Sequence, residues 1–401
     1  MEEDIARSAP PEAKHGEKGL LQGPVHILPS DKTRVLDDGP AICLSGGGYR
    51  AMLFHTGVLW RLNEFGYLPR LKRVSSVSGG SITAGLLAMK WDTLDFSSAA
   101  APDFREQIVE PIMETASHTI DIWAGLKGML GFGSISKFVA ASYKKYLFGE
   151  TALSEITSKD PANAPFFVFN STSVQSGVLW RFTRDYMWDY RVGKIAKRTV
   201  PLAVAVAASS AFPPFLSPLT LRFEPSDFVL DSGTDMQEDR FRQKVVLTDG
   251  GVYDNLGLET VWKNFKTVLV SDAGGGFDIE DNPRRNWFSH TYRTLNTIDN
   301  QVRSLRKRQV VDSYIAGVRG GSYWSIRSDM PQDYAVPQML DCPFARTTVL
   351  ARIGTRLARL DRSVQKRLIN WGYAIADSAM RKFVETTLPP PNDFPFPDAG
   401  V

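Results

Sequence analysis

The 401-residue sequence predicts an α/β fold: a mostly parallel central sheet with helices on both faces. Short apolar runs alternate along the chain with segments of helical pattern, which is how strands and crossover helices are ordered in such sheets. Some of these runs, Val245–Leu247 and Val268–Val270 among them, are continuously apolar, as strands buried on both faces of a parallel sheet are.

Residues 1–35 are rich in charge, Pro and Gly and are expected to form a flexible arm. Ala41–Leu44 then reads as a strand that ends in a glycine-rich loop, and Tyr49–Phe65 as the helix after it. Arg73–Val77 reads as a second strand and Gly80–Met89 as a helix rich in small residues. Phe166–Phe169 and Val178–Phe182 are further strands, and Leu202–Ser210 a helix. Two segments depart from the alternation: a variable, mostly helical stretch over 104–150, and a basic helical stretch over 284–315. The tail from Leu388 carries five prolines and is expected outside the core. No linker interrupts 36–387, which predicts one large domain between the arm and the 388–401 tail.

The net charge of +3 is small for this length and gives no case for a nucleic-acid partner. The two cysteines, Cys43 and Cys342, are too few for a disulfide scaffold, and no Cys/His group has metal-ligand spacing. The acidic start lacks the pattern of a secretory signal, and the most apolar stretch, Val200–Leu216, is broken by Ser and Pro. A cytoplasmic protein is expected.

The chemistry concentrates in three places. Ser45-Gly46-Gly47-Gly48-Tyr49-Arg50 joins a strand to a helix, so its backbone N–H groups and the helix N-terminus behind them favour an anion. It lacks the Gly-Lys-Ser/Thr ending of a nucleotide loop. Ser76-Val77-Ser78-Gly79-Gly80 has the shape of a nucleophile elbow, G-x-S-x-G, in which small neighbours let a serine stand on a sharp turn. Ser78 is the candidate nucleophile, with Ser76 in the position of the first glycine. Asp249 ends the run Val245-Val246-Leu247 and precedes Gly250-Gly251, which suits a carboxylate that projects into a site. Asp272, at another strand end, is its rival as a base, and Asp254 reads as a turn or cap residue. None of the five histidines (15, 26, 55, 118 and 290) sits at a strand end in a motif-like setting, so a Ser-His-Asp triad is not supported.

In this order the three motifs resemble the patatin-like phospholipase family and its cousins, the cytosolic phospholipases. Asn170-Ser171-Thr172-Ser173 and Ala208-Ser209-Ser210-Ala211-Phe212-Pro213 add to the resemblance, which covers about 38–275. Ser45 stands where patatins often have Asp. The resemblance implies a three-layer α/β/α fold and a Ser-Asp dyad. Ser78 is then the nucleophile and Asp249 the base. Gly46, Gly47 and Gly48 provide oxyanion-hole amides, and Arg50 supports the loop or meets a phosphate.

The implied activity is hydrolysis of fatty-acyl esters, most directly of phospholipids, without a cofactor or metal. Lysophospholipase, neutral-lipid lipase and acyl-thioesterase activity use the same dyad and stay open, as does a silent lipid-binding protein. The expected partner is a lipid, with peripheral membrane contact. Ile122, Trp123, Leu126, Met129 and Leu130 are candidates for a lid, and Arg284–Arg308 for contact with anionic headgroups; ordinary packed or ion-paired helices are the simpler reading of both.

Overall fold

Among the described residues, ten strands build one sheet: β1 (Asp37–Leu44), β2 (Arg73–Ser76), β3 (Phe166–Ser173), β4 (Leu179–Phe182), β5 (Met187–Asp189), β6 (Gly193–Ile195), β7 (Leu219–Arg222), β8 (Lys244–Asp249), β9 (Phe265–Asp272) and β10 (Gly320–Ser325). The computed structural model describes residues 35–120, 134–156, 158–160, 164–276, 279–284 and 286–401. The expected arm up to residue 34 and the segment from Ile122 to Phe132 lie outside these residues. Leu36–Val401 forms a single unit.

The central strands run parallel in the order β10-β9-β1-β2-β3. Their side chains alternate between two cores. Ile42, Leu44 and Leu269 enter the larger core, and Ala41, Cys43, Val268 and Val270 enter a smaller one on the opposite face. The larger core is closed by α1 (Gly48–Glu64), α2 (Gly79–Lys90), α3 (Leu202–Ser209) and the C-terminal helix α5 (Arg362–Phe383). The smaller core receives Val310 from the long helix α4 (Trp287–Ile315). A sheet with apolar side chains on both faces needs both layers, and the result is the α/β/α arrangement.

Beyond β3 the sheet turns antiparallel. β4, β5 and β6 form a meander, and β8 pairs with both β3 and β7. The apolar run Val245–Leu247 is therefore buried in an antiparallel ladder, contrary to the parallel expectation; continuous burial on two faces leaves the same sequence signature in either direction. The direction matters. β2 lies along β3 as far as Ser76, opposite Phe169, and β8 comes the other way along the same edge to Asp249, opposite Ser171. The C-terminal ends of β2 and β8 thus meet head-on, about 7 Å apart along β3. Only an antiparallel β8 delivers its last side chain to the end of β2.

The 104–150 stretch is helical over Arg105–Val109, Glu110–Thr115, Ser134–Tyr143 and Lys144–Phe148. The proline-rich tail is a correction. Leu388, Phe396 and Val401 are buried in the larger core, and the Asn370 amide of α5 donates to the carbonyls of Phe396 (2.9 Å) and Gly400 (2.7 Å). Proline excludes the segment from ladders and helices, but its apolar residues still pack. Among the described residues no helix is long and apolar enough to cross a membrane.

Candidate active site

The turn from β2 into α2 places Ser78 at φ 51°, ψ −119°, a region that L-residues other than glycine rarely occupy. Such a conformation costs on the order of 1–3 kcal/mol and persists only where its surroundings enforce it. They do so here through hydrogen bonds. The Ser78 amide donates to Ser209 Oγ (3.0 Å), and its carbonyl accepts from the amides of Ser81 (2.8 Å) and Ile82 (3.2 Å). Ser209 Oγ in turn donates to the Asn170 carbonyl (2.7 Å).

Ser76, in the place of the elbow's first glycine, is not strained. It is the last residue of β2 and has no positive φ; its hydroxyl donates to the Val168 carbonyl (3.2 Å) and accepts from Ser81 Oγ (2.9 Å). The turn needs its glycine at residue 79, where a Cβ would overlap the Gly48 carbonyl oxygen. That contact seats the glycine-rich loop against the serine turn.

Asp249 ends β8 and is buried. Its Oδ1 accepts the Gly251 amide (2.7 Å), while Oδ2 is buried without a hydrogen-bond partner of regular geometry. Burial raises its pKa from 3.8 to about 7, and the nearby negative charge of Asp299 adds to the rise; the Gly251 amide and the Ser78 hydroxyl oppose it. The serine is therefore close enough to act on the carboxyl, in a contact that is still loose. Catalytic hydrogen bonds in unliganded sites commonly tighten only around substrate.

Asp272 is occupied elsewhere. Its Oδ1 accepts the Gly274 amide (2.8 Å), Oδ2 accepts the Tyr323 hydroxyl (2.7 Å), and Arg303 lies 3.9 Å away. Burial alone would raise its pKa, but Arg303, Tyr323 and Gly274 hold it below the usual carboxylate range. Asp254 closes a turn by accepting the amides of Leu256 and Glu259. His55 is buried in α1. Its Nε2 donates to the Ser45 carbonyl and its Nδ1 accepts from Ser271 Oγ, both at 2.9 Å; burial pushes its pKa down to about 4, so it is neutral.

In the glycine-rich loop, the expectation for Gly46 does not hold. Its amide is taken by the Asn255 carbonyl (3.1 Å). Gly47 and Gly48 have φ of 148° and 61°, and among the described residues no backbone carbonyl takes their amides. Arg50 is buried as a clamp. Nε and Nη2 donate to the Ala273 carbonyl (both 3.1 Å), Nη1 to the Ile353 carbonyl and Nη2 to Thr355 Oγ1 (3.0 Å). It ties the loop to two distant segments, which answers to loop support rather than to a phosphate.

These groups open onto a cavity of about 1130 Å³. Phe212, Phe215, Leu216, Phe344 and Leu357 are among its apolar lining. Arg293, Arg303, Arg327, Arg352 and Arg356, with Glu280 and Asp299, are among its charged lining. The 351–357 segment carries no motif, and the inward residues of α4 are marked in the sequence only as part of the basic Arg284–Arg308 stretch. Ser209 and Asn170 lay in segments already singled out, without a role. Among the described residues, no three His, Cys, Asp or Glu side chains are grouped to hold a metal ion.

Human GIVD cytosolic phospholipase A2 superposes with a TM-score of 0.49 at 12% identity, over 86% of this chain and 58% of that one. Its complex with methyl gamma-linolenyl fluorophosphonate superposes at 0.44, also at 12% identity, over 87% and 59%. VipD from Legionella pneumophila does so at 0.33 and 13% identity, over 86% and 68%. The chain thus spans under two thirds of the length of the human enzyme. No curated protein sequence matches it. The family described as patatin-like phospholipase matches residues 42–262, which take in the glycine-rich loop, the serine turn and Asp249, and the chain belongs to that family.

Proposed function

We propose that the protein is a lipid acyl hydrolase that cleaves fatty-acyl esters, most directly those of phospholipids, with a Ser78/Asp249 dyad. The observation that carries this reading is the pairing of a serine held at positive φ with a buried carboxyl of pKa about 7 whose second oxygen has no regular partner. A carboxylate of pKa near 4 is a poor base for a hydroxyl, whereas one near 7 accepts a proton more readily and is still about half ionised at neutral pH.

In the first step Ser78 Oγ attacks the ester carbonyl carbon as its proton passes to Asp249 Oδ2. The Gly47 and Gly48 amides, with the Gly79 amide at the start of α2, receive the oxyanion. When the tetrahedral intermediate collapses, the ester C–O bond breaks and the leaving alcohol takes the proton from Asp249. Water then attacks the acyl-serine, Asp249 accepts its proton, and the fatty acid leaves as Ser78 regains a proton. The apolar lining of the cavity suits an acyl chain, and its arginines suit an anionic headgroup.

A fluorophosphonate probe tests the dyad. It should label the wild-type chain and fail to label Ser78→Ala, and Asp249→Asn should lower acyl-ester hydrolysis by about 10²-fold or more. Hydrolysis that survives both substitutions would remove the dyad, and an unlabelled, inactive wild type would favour a silent lipid-binding protein.

A further inference from the structure

A helix on the surface of a globular protein buries its apolar stripe and exposes its polar one. Over Trp287–Leu305, helix α4 does the reverse, although Val310 further along it is buried in the smaller core. Asn296, Asp299, Asn300 and Arg303 face inward onto the cavity, while Trp287 (81% exposed), Leu295, Ile298 and Leu305 face outward. Their spacing keeps them on one side of the helix over roughly 27 Å. Between Trp287 and Leu305, none of the exposed side chains described is Asp or Glu.

We propose that this outward face of α4 docks on an anionic lipid bilayer and brings the mouth of the cavity to the membrane surface. The proposal rests on the lipid-hydrolase reading for the identity of what enters the cavity, and on two observations of its own for the partner. The first is continuity. Tyr292 of α4 and Phe215 meet edge-on at 6.5 Å, both are exposed, and both line the cavity, so the apolar stripe runs into the site entrance. The second is charge. Arg327, Arg352 and Arg356 are exposed at the same cavity, and the acidic Glu280 there is paired with Arg293 at 3.0 Å. An apolar stripe beside a cationic rim complements an anionic, interfacial surface. A second copy of the chain fits less well, because it would bring one cationic rim against another. Several of the α4 arginines contribute nothing to this face: Arg303 is buried near Asp272, and Arg306 pairs with Glu259 at 3.2 Å.

The test uses the full chain carrying Ser78→Ala, so that lipid is not consumed, and flotation with phosphatidylcholine vesicles containing or lacking phosphatidylserine. The protein should float with the phosphatidylserine vesicles, and the pair Ile298→Asp and Leu305→Asp should weaken that binding by about tenfold or more. In the background that retains Ser78, the same pair should leave hydrolysis of a water-soluble short-chain ester within about twofold, because neither residue lines the cavity. Parent protein that ignores the anionic vesicles, or a double variant that floats as well as its parent, overturns the proposal. So does a dimer, seen by sedimentation, that the pair abolishes. If the wild type hydrolyses no ester yet the pair abolishes vesicle binding, the docking face stands and the hydrolase reading alone falls.

Discussion

Replacing Asp249 by Asn separates what the carboxyl does for chemistry from what it does to the fold. Burial moves its pKa from 3.8 to about 7. The ionised form is therefore less favourable in the folded protein by about 4 kcal/mol. Because the folded value lies above the unfolded one, its contribution to stability is fully present below about pH 4. It is lost progressively as the pH rises, until the folded carboxyl itself ionises near 7. Asparagine has no proton to lose, so the stability difference between Asp249→Asn and wild type should shift in favour of the variant by roughly 3 kcal/mol from pH 5 to pH 8. For a unit of this size that is roughly 3–4 °C in Tm. Paired thermal melts across this range measure it, since other titrating groups cancel in the difference. A gap that stays constant, or that moves against the variant as the pH rises, refutes the argument that Asp249 is held in an environment hostile to its charge.

Two further outcomes follow from the same site. Ser76→Gly restores the usual elbow residue but removes hydrogen bonds to Val168 and Ser81; it should cost about 1–2 kcal/mol in chemical denaturation and change kcat/KM by less than about threefold, whereas a large gain in activity would mean that Ser76 had been straining the turn. Asp299→Asn removes a charge that helps raise the pKa of Asp249, so the acid limb of the pH–rate profile should move to lower pH; an unmoved or upward-shifted limb would show that the two carboxyls are not coupled.

What was legible in the sequence was what is local. A serine between small residues at a strand end, an aspartate closing an apolar run before two glycines, and a triple glycine before a helix are short-range patterns, and the structure places all three at one cavity. The rest depended on partners far along the chain. That the Gly46 amide is taken follows from Asn255, and that Arg50 is a clamp follows from Ala273, Ile353 and Thr355. No periodicity announces contacts across some 300 positions. The direction of β8 was hidden because burial on both faces erases the alternation from which strand environment is read. The tail misled for the opposite reason: its prolines advertise what it cannot form, while Phe396 and Val401, which hold it, are too sparse to make a pattern.

In the proposed dyad, the same burial would let a serine nucleophile work without histidine. In a triad, imidazole supplies a base that titrates near neutrality in water-like surroundings. His55 lies in α1, but both of its nitrogens are used and its pKa is pushed down to about 4, so it serves to hold the Ser45 carbonyl. Asp249 reaches the neutral range by another route. A carboxyl with one oxygen fixed by the Gly251 amide and the other buried without a regular partner pays for its position in folding stability above pH 7, and in the proposed dyad the same position would make it the better proton acceptor for Ser78. The head-on meeting of β2 and β8 along β3 is what permits this, because it sets the carboxyl beside the serine while leaving it inside the sheet. A variant that opened this junction to water would return Asp249 toward 4 and recover stability, and with it would lose the base that the proposed dyad requires.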